Sequence, residues 1–327
     1  MTQRQINHII IVGCGNIGSR HLQAIAKLPC ELTIEVVETS KKAQEIAKSR
    51  LDEIDYDKKR IRCNWHDNLE ALKGKADLVI VSTTSIGKVK LVSKLLDKGY
   101  SRFVIDKIVA QSDKEYDFLL NKMNNFKAKA WVNNSRSYWE SYQKLKNFFE
   151  GSKPIYMSVN AGNRGLGCVG IHYINLFSFF CDHYKIKLNG DSLYNKLLPN
   201  KRGKDLVEFA GTITGSLPDD SSLTITFSPH HDFGEIISIM GTDKHLLVEE
   251  DNEKVHIISG SNQSEIKFKK ELQSSLTTKI VHDILENDNC NLPTLEESSY
   301  THHELFSIFN KHIKKISGED TELCPIT

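Results

Sequence analysis

Residues 9–21 read IIIVGCGNIGSRH, and the fold turns on whether the glycines at 13, 15 and 18 mark a nucleotide-binding turn. An apolar run from Ile6 to Val12 leads straight into them, as a buried strand does before a crossover. Apolar residues then recur at Ile17, Leu22, Ile25, Ala26 and Leu28, the spacing of one helix face. A Gly-x-Gly-x-x-Gly run carries weight only between such a strand and helix, with an acid about 20 residues further on. Glu38, at the end of the strand-like ELTIEVVE, supplies that acid. In this setting Gly13 permits the tight turn, Gly15 lets the backbone approach a pyrophosphate, and Gly18 lets the helix pack against the sheet. Asn16 and Ile17 complete the turn, and the free N–H groups of the helix start favour an anion there. Glu38 is placed to accept hydrogen bonds from ribose hydroxyls and to repel a 2′-phosphate, which predicts NAD. Ser40 and Lys41 follow at once, and they would serve NADP if Glu38 turned away.

The strand-and-helix unit repeats. SKKAQEIAKSRL is helical with Ser40 as N-cap, DLVIVSTT is a strand, and GKVKLVSKLLDKG is a helix stopped by Gly99. RFVIDK, DKEYDFLLNKMNNF and KAWVNN continue the alternation. Strands alternating with helices predict an α/β fold, a Rossmann doubly wound parallel sheet over residues 1–134. Beyond Asn134 the pattern changes to strands separated by turn residues, among them PIYMSVNAG, SSLTITFSP, GEIISIMGT and KHLLVEED. Residues 135–327 therefore read as an α+β domain with an open, largely antiparallel sheet and helices on one face. The basic clusters KKRIRC and KIKLNGDSLYNKLLPNKRGK read as solvated loops, and His230–His231 and His302–His303 as surface or substrate-rim residues.

Lys and Arg number 43 against 42 Asp and Glu, so no overall field gathers nucleic acid or an anionic membrane. The seven cysteines are scattered without a Cys-x-x-Cys pair, which suggests neither a disulfide framework nor a zinc knuckle. No stretch approaches a membrane span of roughly 20 apolar residues. A cytoplasmic protein working on a small molecule, with no metal, is the expectation.

Taken in order along the chain, IIIVGCGNIGSRH, ADLVIVSTTS, FVIDKIVAQS, GLGCVGIHYINL and IMGTDKHLLVEED resemble the Gfo/Idh/MocA oxidoreductases. The resemblance implies that Thr83, Thr84 and Ser85 border the nicotinamide ribose. It sets Asp106 at the family's Glu, Lys107 at its active-site Lys and Ile108 at its usual Pro, often cis there. His172 takes the place of the catalytic His, and Arg136 that of an Arg able to reach an anionic substrate group. Cys168 and Asn175 stand where many sugar dehydrogenases carry Asp. A sugar substrate is implied, in surface-polysaccharide or nonulosonic-acid synthesis, with a homodimer or homotetramer burying the open sheet.

Oxidising a secondary alcohol needs a base for the hydroxyl proton and a cation for the developing alkoxide. His172 is assigned the first role and Lys107 the second. Plainer readings stand beside these. His172, with Ile171, Ile174 and Leu176 around it, has the look of a core histidine. Asp106 fits a cofactor-side role or a solvated strand end equally well, and Cys168 with His172 has the i, i+4 spacing of two metal ligands. Reduction of an imine or another C=X bond is the enzymatic alternative, and a catalytically inactive dinucleotide-binding regulator is the other.

Overall fold

The computed structural model describes residues 7–327, so Ile6, where the first apolar run begins, lies outside the described residues. The chain divides into two compact units.

The first unit is an α/β layer. Its elements are β1 (Asn7–Val12), α1 (Gly18–Ile25), β2 (Leu32–Val37), α2 (Lys41–Asp52), β3 (Ile61–His66), β4 (Leu78–Val81), α3 (Lys88–Asp97), β5 (Arg102–Asp106), α4 (Asp113–Asn125) and β6 (Lys129–Asn133). The strands pair in parallel in the order β3-β2-β1-β4-β5-β6, the doubly wound topology expected from the alternation. Ile9, Ile10, Ile11 and Leu78 to Val81 are almost wholly buried, as strands covered on both faces must be. Strand order reverses between β1 and β4, and ligands of such sheets bind at the carboxyl ends of the strands flanking that point.

The basic cluster KKRIRC forms a solvated turn only over Lys58, Lys59 and Arg60. Ile61 to His66 make the edge strand β3, because Ile61 turns into the core and Arg62 to His66 pair with β2. A later segment, residues 271–295, also belongs to this unit. It carries α7 (Gln273–Asn287), where Thr278 Oγ1 donates to the carbonyl of Ala24 at 2.8 Å. The boundary after residue 133 is thus crossed once more, through a helix whose apolar face, Leu276, Ile280, Val281 and Ile284, is buried.

The second unit holds α5 (Glu140–Phe148), β7 (Tyr156–Ala161), α6 (Leu166–Cys181), β8 (Lys187–Leu193), the short pair β9 (Leu198–Pro199) and β10 (Val207–Glu208), β11 (Gly211–Ser216), β12 (Ser222–Phe227), β13 (Ile236–Met240), β14 (Lys244–Glu249), β15 (Lys254–Ser259), β16 (Asn262–Lys267) and α8 (Leu295–Ser317). Its eight-stranded sheet runs β16-β15-β14-β13-β7-β12-β11-β8 and is antiparallel except at β7–β12. Alternation gives it one covered and one open face. Met157, Val159, Leu223, Ile225, Ile237 and Ile239 are buried, while Tyr156, Ile236 and Met240 are exposed. Lys187 to Leu193, in the second basic cluster, form edge strand β8 rather than a loop, and a tight turn at Gly260 and Ser261 joins β15 to β16. His302 is fully buried on α8 beside Phe306, not at the surface, since its Nδ1 finds the Ser298 carbonyl at 2.8 Å. Among the described residues no helix is long and apolar enough to cross a membrane.

Candidate dinucleotide site and active-site residues

The glycines of the first turn have separate duties, visible in what a side chain would meet. At Gly18 a Cβ would stand 2.0 Å from the Gly13 carbonyl, so helix and turn touch there. Gly13, at φ +84°, has Thr83 Cγ2 only 2.8 Å from where its Cβ would be. At Gly15 a Cβ would meet nothing within 4 Å. Gly13 and Gly18 are therefore held by packing, and Gly15 opens to space. Helix α1 starts behind it with no side-chain cap, the N–H groups of Ser19 and Arg20 turn back to the carbonyls of Gly15 and Ile17, and Asn16 and Ile17 are exposed in front, at the positive end of the helix dipole.

Glu38 closes the other side of the turn. Its Oε2 accepts from the Cys14 N–H at 2.7 Å and its Oε1 from the Ser40 N–H at 2.9 Å, while Ser40 caps α2 through Ala43. The carboxylate is tied to the glycine turn itself, the position from which an acid meets ribose hydroxyls and repels a 2′-phosphate. Burial, then Cys63 and Glu38, push the Cys14 thiol up to about 12.

Across the switch point, Ser82 Oγ donates to the Gly13 carbonyl at 2.7 Å. Thr83 follows half-buried, with Oγ1 shielded and without a hydrogen-bond partner among the described residues; Thr84 is exposed and Ser85 buried. An orphan hydroxyl, an open glycine and an uncapped helix start together fit a nicotinamide dinucleotide. Gly13, Gly15, Asn16, Ile17, Gly18 and Glu38 would hold its pyrophosphate and adenosine side, and Thr83 to Ser85 its other end.

Asp106 ends β5, and it is no solvated strand end. Asn133 Nδ2 donates to its Oδ1 at 2.7 Å, and the buried His21 ring faces both carboxylate oxygens through Nε2 at 3.4 Å. The Nδ1 of His21 lies 2.8 Å from Thr277 Oγ1, so α7 and β6 both brace this carboxylate. Burial, the largest single influence, pushes the carboxyl up; the His21 ring and its hydrogen bond, Asn133 and the Lys88 ammonium together hold it below the usual carboxylate range. Lys107 comes next, half-buried, and its peptide bond to Ile108 is cis. The carbonyls on either side of Lys107, those of Asp106 and Ile108, accept from the buried Lys88 ammonium at 2.5 and 2.7 Å.

The other candidate residues stand in the second unit. On α6 the side chains of Ile171, Ile174 and Leu176 are fully buried, whereas Cys168, Val169 and His172 form a half-exposed stripe. His172 is therefore off the core face, one turn beyond Cys168, with Asn175 buried on the following turn. The start of α6 is closed by Glu208, whose Oε2 accepts from the Cys168 N–H at 3.2 Å and whose Oε1 accepts from Asn200 Nδ2 at 3.1 Å. Among the described residues no three His, Cys, Asp or Glu side chains gather as a metal site.

Arg136 is built into its own unit. Nε and Nη2 meet the two oxygens of the fully buried Glu250 at 2.9 and 3.0 Å, and Nη2 also reaches Tyr173 Oη at 3.1 Å. Its guanidinium lies 4.4 Å from the Tyr173 ring centre. The charge expected for an anionic substrate group is thus matched internally, with only Nη1 left over among the described contacts.

His21, Lys88, Asn133, Glu208 and Glu250 all shape these sites without having been singled out in the sequence. Lys88 stands in the helical GKVKLVSKLLDKG and Glu250 at the end of the strand-like KHLLVEED, and only the fold shows them buried. His21 lies at the end of the glycine motif, three residues past Gly18, and that spacing along α1 is its one signal in the sequence.

Residues 7–134 match the family model described as an oxidoreductase family with an NAD-binding Rossmann fold, GFO_IDH_MocA. No curated protein matches the chain in sequence. Among solved structures, an oxidoreductase from Agrobacterium radiobacter in complex with NAD+, L-tartaric acid and magnesium superposes with a TM-score of 0.75 at 14% identity, over 97% of this chain and 98% of its own. A 3-ketoreductase from Actinomadura kijaniata in complex with NADP gives 0.71 at 12% identity, over 93% and 96%. Biliverdin reductase from Synechocystis in complex with biliverdin and NADP+ gives 0.69 at 14%, over 92% and 97%. At these identities the likeness is one of fold, and it spans both units.

Proposed function

From the match of residues 7–134 to the NAD-binding Rossmann fold of the Gfo/Idh/MocA oxidoreductases, we propose that the chain is an NAD(P)-dependent oxidoreductase. Its reaction moves a hydride to or from a hydroxyl or keto carbon of a sugar or sugar derivative, of the kind handled in surface-polysaccharide or nonulosonic-acid synthesis. One observation carries this reading. Lys107 stands at the carboxyl end of β5, its flanking carbonyls fixed by Lys88 and its neighbour Asp106 braced by His21 and Asn133.

The nicotinamide ring, when bound, accepts or gives the hydride. Lys107 donates a hydrogen bond to the substrate oxygen and offsets the negative charge that builds on it. His172 takes the hydroxyl proton during oxidation and returns it during reduction, a task suited to an imidazole, which ordinarily titrates near pH ~6.5. Arg136, Cys168 and Asn175 border the substrate. A thiol is a weak hydrogen-bond acceptor, so Cys168 does little to strengthen His172 as a base. That favours, as a second reading, reduction of an imine or another C=X bond, in which His172 need only deliver a proton. The exposed Tyr156, Ile236 and Met240 on the open sheet face favour burial in a homodimer or homotetramer.

The test is fluorescence titration with NADH and NADPH, followed by a turnover screen over activated sugars and imines. Turnover unchanged in both Lys107→Ala and His172→Ala would sink the assignment of roles. Tight cofactor binding with no turnover on any substrate would favour a regulator.

A further inference from the structure

We infer that Arg50 is a cofactor-binding residue, fastening the glycine turn and setting its positive charge against the pyrophosphate of NAD. The inference rests on the NAD site described above and adds to it a residue outside the glycine motif and Glu38.

Arg50 comes from the last turn of α2, yet its side chain reaches the first turn of α1. Nη1 donates to Ser19 Oγ at 2.7 Å and to the Asn16 carbonyl at 3.3 Å, and Nη2 donates to Asn16 Oδ1 at 3.2 Å. Every one of these acceptors is neutral. Among the described residues no carboxylate pairs with this guanidinium, although it is half-buried.

The position makes the missing anion telling. Asn16 and Ser19 lie at the start of α1, the positive end of the helix dipole, where a cation is disfavoured. A half-buried guanidinium held there by neutral groups alone is electrostatically uphill. A phosphate at the same turn would reverse the sign of the interaction for both helix and arginine. Gly15 beside it is open, so an anion has room to approach. The guanidinium is also close enough to favour the thiolate of Cys14, against the burial that dominates there. Its charge therefore covers the turn from Cys14 to Ser19.

Three variants divide charge from scaffolding. Arg50→Gln keeps a donor for Asn16 and Ser19 without the charge, Arg50→Lys keeps the charge without the fork, and Arg50→Met keeps neither. Dissociation constants are measured for NADH, for ADP-ribose, which carries the pyrophosphate, and for adenosine, which does not, across a sodium chloride series. Arg50→Gln and Arg50→Met should weaken NADH and ADP-ribose about tenfold and flatten the salt dependence, as loss of a charge-assisted phosphate contact does. Arg50→Lys should retain the salt dependence, and adenosine should bind all folded variants alike. If Arg50→Met does not fold, Arg50→Gln carries the test. The inference fails if Arg50→Gln binds ADP-ribose like wild type, or if adenosine weakens in parallel with it. Wild-type protein that binds neither NADH nor NADPH would instead overturn the NAD site itself.

Discussion

Arg136 and Glu250 form a two-point ion pair inside the second unit, Nε to Oε1 at 2.9 Å and Nη2 to Oε2 at 3.0 Å. Tyr142 donates to the same Oε1 at 2.5 Å, and burial first, then the Glu250 charge, push its phenol well above the ordinary value, so it stays a donor. Removing one member of such a pair strands the other charge out of water, at a cost of about 3–5 kcal/mol. Glu250→Gln and Arg136→Met should each lower the urea-unfolding free energy by that order. The double variant should lose clearly less than the sum, because neither charge is then stranded. Additive losses would mean that the pair is not coupled in solution.

The glycine turn predicts a split between stability and binding. Gly18→Ala puts a Cβ 2.0 Å from a backbone carbonyl, which no side chain can yield to, so helix and turn must part. Thermal unfolding should fall sharply or the protein should fail to fold. Gly15→Ala meets nothing within 4 Å and should leave unfolding within about 1 kcal/mol of wild type, the helix-propensity scale for such a change. Its NADH dissociation constant should nevertheless rise at least about tenfold, since the methyl stands where the pyrophosphate approaches. Equal NADH affinity in Gly15→Ala would place the cofactor elsewhere.

Why some of this was legible in the sequence and some was not follows from the range of the forces involved. The strand Ile9–Val12, the glycines and Glu38 sit within one supersecondary unit, so their pattern is local and readable. β3 was hidden because charge dominates KKRIRC, and its strand state depends on pairing with β2. The same holds for β8 and β16, edge strands whose polar residues face water while the ladder holds their backbones. That α7 belongs with α1 could not be read, since His21 to Thr277 is a contact across 256 positions. The pairing of Arg136 with Glu250 spans 114, so the sequence showed a free cation where the fold has a neutralised one.

Asp106 should give the protein a distinct acid limb. Its folded-state carboxyl lies below the usual range, so its contribution is fully present above the unfolded pKa of about 3.9 and is lost as pH falls through the lower, folded value. Unfolding free energy followed by urea from neutral pH down to about pH 3 should therefore drop more steeply in wild type than in Asp106→Asn, which cannot titrate there. The variant should also be less stable at neutral pH, having lost the charge that His21 and Lys88 face. Parallel curves for the two proteins would show that this carboxylate is not held in its charged form.

Lys88 is the strictest test of the sheet-end geometry, because the residue is 1% exposed and its ammonium meets main-chain carbonyls. It donates to the carbonyls of Asp106 and Ile108, which bracket Lys107 in the chain. Lys88→Met keeps the length and apolar stem and removes the donors, leaving two carbonyls short of a partner at roughly 1–3 kcal/mol each. Part of that cost can be recovered if the segment relaxes and takes up water, and the relaxation is itself measurable. Hydrogen exchange in a peptide covering residues 103–110 should speed up by about tenfold or more in Lys88→Met, while a peptide covering β1 stays at the wild-type rate. If Lys107 works from a fixed backbone, turnover should fall in this variant with NADH affinity unchanged, since the glycine turn is untouched. Wild-type exchange in residues 103–110 of Lys88→Met would show that the ammonium does not fix this segment.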